Sequence, residues 1–344
     1  MGSTEVRFPG LGITFNVNDV AFSIGSFEIK WYGVIIGLGV ALCFALAIYQ
    51  ARKNKFSSDL VSDILLVCLP SAIIGARLYY VLCNWDYYSA DWKLVVNTRA
   101  GGLAVYGGII GALLALLIMC RIRKISFAAC TDYCIPYLAL GQAIGRWGNF
   151  FNQEAFGTTT TLPWGMTSDE ISSYLARYCP QLDPTMPVHP TFLYESICNI
   201  ILFFILLKVR KNSKHSFETT SVYLIVYGAA RYFIEGLRTD SLYIGSTGIR
   251  TSQLLSVILV LAGLLWIAFA RTKDIMRKPL PEKFILKEES KFIDASVDSE
   301  AEKNAEKVSD EEVSDEEVSD DEISNEEVSA SEVTDKEDDK SENT

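Results

Sequence analysis

Apolar residues recur along the chain in stretches of about twenty, and shorter polar segments separate them. A helix of about twenty apolar residues is long enough to cross the roughly 30 Å hydrocarbon layer of a bilayer. Polar residues interrupt the fourth stretch, but the alternation of loop charge requires it. The pattern predicts an all-α membrane protein with seven transmembrane helices, near residues 31–50, 60–83, 103–119, 127–144, 191–207, 219–237 and 253–270.

Basic residues cluster after the first, third, fifth and seventh stretches. The clusters are Arg52, Lys53 and Lys55; Arg121, Arg123 and Lys124; Lys208, Arg210, Lys211 and Lys214; and Arg271, Lys273, Arg277 and Lys278. The positive-inside rule places all four in the cytoplasm, together with the C-terminus. The N-terminal segment 1–30 is then extracytoplasmic, as are the loops 84–102, 145–190 and 238–252. Segment 1–30 shows no cleavable signal-peptide pattern, so the first span is the expected insertion signal.

Acidic residues are concentrated at the C-terminal end. Of the 42 acidic and 31 basic residues, residues 288–344 contain 24 and 5, so the rest of the chain has a positive net charge. From residue 308 onward a five-residue unit repeats (VSDEE, VSDEE, VSDDE, ISNEE), with too few large apolar residues to form a core. We therefore expect a membrane domain over 31–278 and a disordered cytoplasmic tail over 279–344.

Metal, cofactor and nucleic-acid sites are not predicted. Cys130 and Cys134 share a helix face at i, i+4 spacing, but neither a histidine nor a third cysteine lies nearby to complete a metal site. Most of the eight cysteines fall within or beside predicted spans, where cysteine packs as a small apolar residue.

Ionisable residues lie inside several predicted spans. Each costs on the order of 2.5–3.5 kcal/mol at the centre of a membrane helix, and such residues usually face the bundle interior in pairs. They are Arg77, Glu195, Arg231 and Glu235. An internal Arg231–Glu235 pair is the simplest interpretation, but it leaves Arg238 unmatched, and Arg146 has no obvious local partner.

One face of the sixth span predicts an anion site. Tyr227, Arg231, Glu235 and Arg238 are spaced 4, 4 and 3 residues apart, which places them on one side of a helix. Guanidinium groups offer paired donors to phosphate oxygens. A positive surplus at membrane depth therefore indicates an anionic ligand, and lipid headgroups are the abundant anions there.

Two further features leave alternatives open. Residues 101–111 contain five glycines, which allow either close helix packing or a substrate lying against the main chain, with Tyr106 accessible among them. His189 precedes Pro190 at the start of the fifth span, where it is either a helix-end hydrogen-bonding residue or a base.

A polar, glycine-containing run adjoins the fourth span. It fits the pattern Gly-Arg-x-Gly-Asn-Phe-x-Asn-x-Glu-x-x-Gly at every fixed position from Gly145 to Gly157. With this run, the chain resembles the prolipoprotein diacylglyceryl transferases of bacterial plasma membranes. The resemblance covers about residues 15–275, and four further segments agree with it: 30–33, 75–78, 189–195 and 227–235.

The resemblance implies a membrane transferase. Such an enzyme moves the diacylglyceryl group of phosphatidylglycerol to the lipobox cysteine of a preprolipoprotein, forming a thioether and releasing glycerol phosphate. The implied catalytic residues are Arg146, Tyr227 and Arg231, and Tyr106, which departs from the family pattern, is a further catalytic candidate. The implied substrate-binding residues are Arg146, Asn149, Glu154, Gly157, Arg238, Glu235, Tyr32, Arg77 and His189. We expect Arg146 and Arg238 to hold the phosphate, Glu235 to fix Arg231, and Asn149 to bind the glycerol headgroup.

The sequence does not identify the proton acceptor. Many family members have a histidine at the position of Tyr106, so a histidine-base mechanism does not transfer to this chain. Tyr106, Tyr227 and His189 are the candidates, and a thiol ionised by the local positive field is the alternative.

A membrane lipid or anion transporter is the competing function, because it also needs arginines at membrane depth. Transporters commonly show internal repeats, and the two halves of this chain show no such duplication.

Overall fold

Long helices make up most of the structure, a computed structural model that describes residues 3–25, 27–89, 92–98, 101–245 and 247–277. The helices are α1 Trp31–Lys53, α2 Ser58–Cys83, α3 Trp85–Tyr88, α4 Trp92–Val96, α5 Val105–Arg123, α6 Phe127–Phe151, α7 Asp169–Tyr178, α8 Thr191–Asn212, α9 Glu218–Leu237 and α10 Thr251–Thr272. Lys278 and the predicted tail 279–344 lie outside the described residues.

Each predicted span coincides with one long helix: α1, α2, α5, α6, α8, α9 and α10. Within the described residues, five of them are long and apolar enough to cross a membrane by length and composition, namely α1, α2, α5, α8 and α10. Their outer faces expose large apolar side chains such as Leu38, Leu66 and Leu265, as lipid-facing surfaces do. The chain is therefore a helical membrane protein. Helices α6 and α9 carry the polar residues that lower their hydropathy.

Packing places α6 at the centre of the helices that matter for function. It contacts α1, α8 and α9, while α2 pairs with α5 and α9 pairs with α10. Side-chain caps begin two of these helices: Ser57 accepts a hydrogen bond from the Asp59 N–H before α2, and Ser126 accepts one from the Ala129 N–H before α6.

The expected break after residue 144 is wrong, because α6 continues to Phe151. The first residues of the polar run are thus helical rather than a loop. Tertiary contacts offset the cost of two glycines in this turn. Phe150 is buried, and Trp147 Nε1 donates to Ser196 Oγ of α8 at 3.2 Å.

Two hairpins in segment 1–30 correct the all-α expectation. Strands β1 Thr4–Phe8 and β2 Ile13–Val17 are antiparallel, as are β3 Val20–Ile24 and β4 Phe27–Lys30. Alternate residues of β1, Val6 and Phe8, are buried, as the period-two pattern of a half-buried strand requires.

A small lobe caps the end of the bundle where α6 ends and α8 begins. It consists of β1, β2 and residues 152–190, including α7, which the sequence analysis treated as loop. Its apolar core joins Val6, Met166, Ile171 and Leu175 to Phe150 and Phe192 of the bundle. This core fixes the ends of α6 and α8, which carry the polar residues described next.

Candidate active site

Glu195, in the second turn of α8, lies at the centre of a buried ion-pair network. It is 3% exposed, and its Oε1 accepts a hydrogen bond from Arg231 Nη1 at 2.6 Å. Its Oε2 lies 2.6 Å from Arg146 Nη2, and Arg238 Nη1 is 3.7 Å from Oε1. The Arg146 contact has ion-pair distance without hydrogen-bond alignment, so Oε2 accepts no hydrogen bond from the described residues. We call Arg146, Arg231 and Arg238 the arginine cluster.

Two members of the cluster have a second carboxylate partner. Arg231 forms an ion pair with Glu235 one turn along α9, as the sequence predicts. Arg238 donates to both oxygens of Asp240, from Nε at 2.9 Å and from Nη2 at 2.7 Å. Burial acts to raise the pKa of Asp240, but the hydrogen bonds and charge of Arg238 outweigh it and hold that pKa below its ordinary value.

The expected surplus of positive charge is therefore wrong. Arg238 and Arg146 are not unmatched, because Asp240 pairs with the first and Glu195 with the second. Glu195 lies 49 positions from Arg146 in the chain, so only the packing of α6 against α8 reveals this pair.

The polar run continues from the cluster through amide groups. Arg146 Nη1 donates to Asn149 Oδ1 at 3.5 Å, and Asn149 Nδ2 donates to Glu154 Oε1 at 2.9 Å. Asn152 Nδ2 also donates to Glu154 Oε1, at 3.2 Å. Arg146, Asn149 and Glu154 are thus brought together as the motif predicts, with Glu154 at the exposed end.

Gly157 ends the motif where three segments meet. Its N–H donates to the His189 carbonyl at 2.9 Å, and the next N–H, of Thr158, donates to the Leu237 carbonyl at 2.7 Å. A Cβ at Gly157 would lie 2.7 Å from His189 Cβ and 3.1 Å from the Leu237 carbonyl oxygen. The glycine therefore lets the chain approach Leu237 closely, which helps to place Arg238 in the cluster.

Tyr227 joins the site from α9. Its hydroxyl lies beside the Arg146 guanidinium, and its ring stacks on Tyr223 with centroids 5.1 Å apart. Tyr223 in turn donates to Gln142 Oε1 of α6 at 3.1 Å. A small cleft between α8 and α9 opens beside these groups. It is lined by Glu195, Cys198, Asn199, Tyr227, Ala230 and Arg231.

Tyr32 also borders the motif. Its ring packs against Gly148, where a Cβ would lie 2.6 Å from Tyr32 Cδ2. Tyr32 remains 38% exposed at the start of α1, beside the helix turn that carries Arg146.

Tyr106 and His189 are not brought into the arginine cluster. Tyr106 is exposed in the first turn of α5, and no hydrogen bond, ion pair or ring contact joins it to another described residue. His189 Nδ1 lies 3.1 Å from the Tyr194 hydroxyl, which accepts a hydrogen bond from Trp164. Burial lowers the pKa of His189, which favours a neutral imidazole in a helix-end hydrogen bond.

Arg77 is the clearest departure from the predicted binding residues. It is 7% exposed, and all five of its N–H groups donate to main-chain carbonyls. The acceptors are Leu94, Val95, Asn97, Gly101 and Gly102, at distances of 2.5–3.0 Å. Because every donor is engaged, Arg77 holds the end of α4 and the glycines before α5 rather than a ligand.

Comparison with known proteins agrees with this geometry. The sequence profile of the prolipoprotein diacylglyceryl transferases matches residues 19–269. The chain belongs to this family. Named phosphatidylglycerol–prolipoprotein diacylglyceryl transferases are similar to it: that of Finegoldia magna is 46% identical over 72% of this chain and 93% of its own length. Those of Clostridium perfringens and Clostridioides difficile are 42% and 41% identical, each over 72% of this chain and 92% of their own length.

For this prolipoprotein diacylglyceryl transferase family member, Glu195 and Asp240 are the site residues that the sequence analysis missed. Glu195 was visible as a charge inside a span, but its three partners lie on other elements. Asp240 is two positions from Arg238 in a segment that gave no structural signal. In the sequence, only the closeness of Asp240 to Arg238 indicates that the two residues could pair.

Proposed function

We propose that this chain transfers the diacylglyceryl group of phosphatidylglycerol to the lipobox cysteine of preprolipoproteins, at the arginine cluster. The chain is a member of the transferase family, and the observation that carries the site assignment is the convergence of Arg146, Arg231 and Arg238 on one buried carboxylate. Guanidinium groups so arranged bind phosphate oxygens through charge-assisted hydrogen bonds when the carboxylate gives way.

The reaction forms a bond between the cysteine sulfur and a glycerol carbon and breaks the bond from that carbon to a phosphate oxygen. Negative charge then develops on the departing glycerol phosphate. Arg146 and Arg231 are in place to neutralise it, since both contact the same carboxylate within 2.6 Å. Glu235 fixes Arg231, Arg238 adds a more distant charge, and Asn149 is close enough to Arg146 to bind the headgroup.

The orientation of the protein in the bacterial plasma membrane is part of this proposal. The positive-inside rule supports a seven-span orientation with cytoplasmic basic clusters, in which the arginine cluster faces the outer side. The arginine cluster lies at the C-terminal ends of α6 and α9 and at the start of α8. Basic residues of two cytoplasmic clusters lie in the last turns of α5 and α8, and the last turn of α8 is at the opposite end of that helix from the arginine cluster. A secreted preprolipoprotein then meets phosphatidylglycerol at the outer leaflet.

Labelled phosphatidylglycerol and a lipobox peptide test this function with purified protein in lipid nanodiscs. We expect label on the peptide cysteine, none on a cysteine-to-serine peptide, and strong loss of transfer in Arg146→Gln. Arg271→Gln is the matched control, because Arg271 is exposed and pairs with Glu218 at the opposite end of the bundle. In liposomes, flux of lipid or anion without transfer would identify a transporter instead.

A further inference from the structure

The charged side chains of the site balance one another. Among the described residues, the guanidinium groups of Arg146, Arg231 and Arg238 face the carboxylates of Glu195, Glu235 and Asp240. Phosphatidylglycerol brings one further negative charge, and the leaving glycerol phosphate carries two. A buried site accommodates that increase only if another group loses charge or moves, because unpaired buried charge is costly.

We propose that Glu195 is the internal anion that substrate phosphate displaces from the arginine cluster, and that it accepts the proton of the attacking thiol. This inference rests on the proposed function. Glu195 contacts Arg146 and Arg231, the same groups that would bind phosphate, and its Oε2 accepts no hydrogen bond from the described residues. Its side chain also lines the small cleft between α8 and α9.

Proton transfer to Glu195 keeps the charge of the site constant. The thiol gives its proton to Glu195 as the sulfur–carbon bond forms, and the carbon–oxygen bond breaks with its electron pair on phosphate. Phosphate thereby changes from one negative charge to two, while Glu195 changes from one to none. Protonated Glu195 no longer attracts Arg146 and Arg231, so both become available to phosphate when its charge rises.

The other candidate acceptors are placed less favourably. Glu154 receives two amide hydrogen bonds and contacts none of the three arginines. Asp240 is held by two hydrogen bonds from Arg238, and Glu235 pairs with Arg231 without contacting Arg146. The charged or titratable groups that face Glu195 are Arg146 from α6, Tyr227 and Arg231 from α9, Arg238 just after α9, and Cys198 from α8 itself.

Glu195→Gln separates the two parts of the proposal. It removes the competing anion, so we expect phosphatidylglycerol in nanodiscs to bind the variant about tenfold more tightly than wild type. Added phosphatidylglycerol should also raise the thermal unfolding midpoint of the variant more than that of wild type. It also removes the acceptor, so single-turnover transfer to the peptide should fall about 10²–10⁴-fold at pH 7. The residual rate should rise about tenfold per pH unit toward the thiol pKa of about 8.5, because only pre-ionised thiol reacts.

Two further variants serve as controls for this test. Glu195→Asp keeps a carboxylate and should retain the wild-type pH profile at a reduced rate. Glu218→Gln removes a carboxylate at the opposite end of α9 and should leave binding and transfer unchanged.

Distinct outcomes would overturn the inference. If Glu195→Gln lowers lipid binding and transfer by the same factor at every pH, then Glu195 only maintains structure. Full transfer by Glu195→Gln would place the acceptor elsewhere while leaving the proposed function intact. Wild-type protein that binds phosphatidylglycerol but modifies no peptide would overturn the proposed function itself.

Discussion

Two regions of this protein hold buried or partly buried arginines between long helices and use them in opposite ways. In the α2–α5 region, Arg77 donates all five hydrogen bonds to main-chain carbonyls. In the α6–α8–α9 region, Arg146 and Arg231 pair with the Glu195 side chain. Carbonyls fixed in the backbone cannot be exchanged for a ligand, whereas a carboxylate can rotate away or take a proton. The partner, rather than the burial, separates a structural arginine from a ligand-binding one.

Among the variants that compare the two regions, Arg146→Gln should give the largest change in activity. It removes the charge that contacts Glu195 and the Tyr227 hydroxyl, and loss of one such donor typically costs about 10²–10³-fold in rate. The thermal unfolding midpoint should fall less than in the Arg77 variant below, because Glu195 keeps Arg231 as a partner. Transfer assays and thermal unfolding on the same preparation measure both. If the unfolding midpoint falls as far as in the Arg77 variant below, then Arg146 is as structural as Arg77, and the proposed difference between the two regions is wrong.

Arg77→Leu should give the largest change in stability. It leaves the five carbonyls that accept from Arg77 without their donor, at a cost of about 3 kcal/mol or more. We expect a lower unfolding midpoint and less protein in the membrane, with nearly normal transfer per folded molecule. Arg121→Leu is the control, because Arg121 is exposed in the last turn of α5. If the Arg77→Leu protein folds but fails to bind lipid, then Arg77 is a lipid-binding residue after all.

The sequence predicts the helices well because hydrophobic length is a local property. All seven predicted spans coincide with long helices, and Arg231 pairs with Glu235 as their i, i+4 spacing indicates. The partners of Glu195 and Arg77 depend on contacts between segments distant in the chain. For Arg77, residues 94–102 showed no pattern that would indicate five carbonyls converging on one guanidinium.

The terminal lobe and the polar run show a second limit. Residues 145–151 looked like a loop because glycine and polar residues disfavour a helix, but packing against Tyr32 and Ser196 overrides that preference. The β1–β2 hairpin is short, and Val6 and Phe8 are buried in an apolar core that α6, α7 and α8 share with it. The open question at residues 101–111 is resolved for Gly107, which packs on the backbone of Gly75 in α2.

Gly107→Ala should give an intermediate loss of stability in the α2–α5 region. A Cβ at Gly107 would collide with the Gly75 carbonyl oxygen and Tyr79 Cβ, so we expect about 1–3 kcal/mol of destabilisation. Gly108→Ala is the matched control, since its Cβ would lie 3.3 Å from the Ala72 carbonyl oxygen and 3.6 Å from Ala76 Cβ. Chemical or thermal unfolding of both variants measures the difference. Equal effects would mean that α2 and α5 are not packed through Gly107.

Asp240→Asn should give the smallest effect, and one that depends on pH. Arg238 holds the pKa of Asp240 below its ordinary value, so the pair adds stability that is complete above about pH 5. That stability is lost as pH falls below the ordinary Asp pKa of about 3.9 and through the lowered one, where the native carboxylate takes up its proton. Because the Asp240 side chain is 35% exposed, the contribution should be at most about 1 kcal/mol.

The measurement for Asp240 is the difference in unfolding midpoint between wild type and Asp240→Asn from pH 7 to pH 3. We expect wild type to be more stable at pH 7 and the two proteins to converge toward pH 3, since protonated aspartic acid and asparagine are both neutral. A difference that stays constant over this range would show that Asp240 acts through shape rather than charge. Arg238 would then depend electrostatically on Glu195, at 3.7 Å, and on Glu235, which makes it more similar to the ligand-binding arginines than to Arg77.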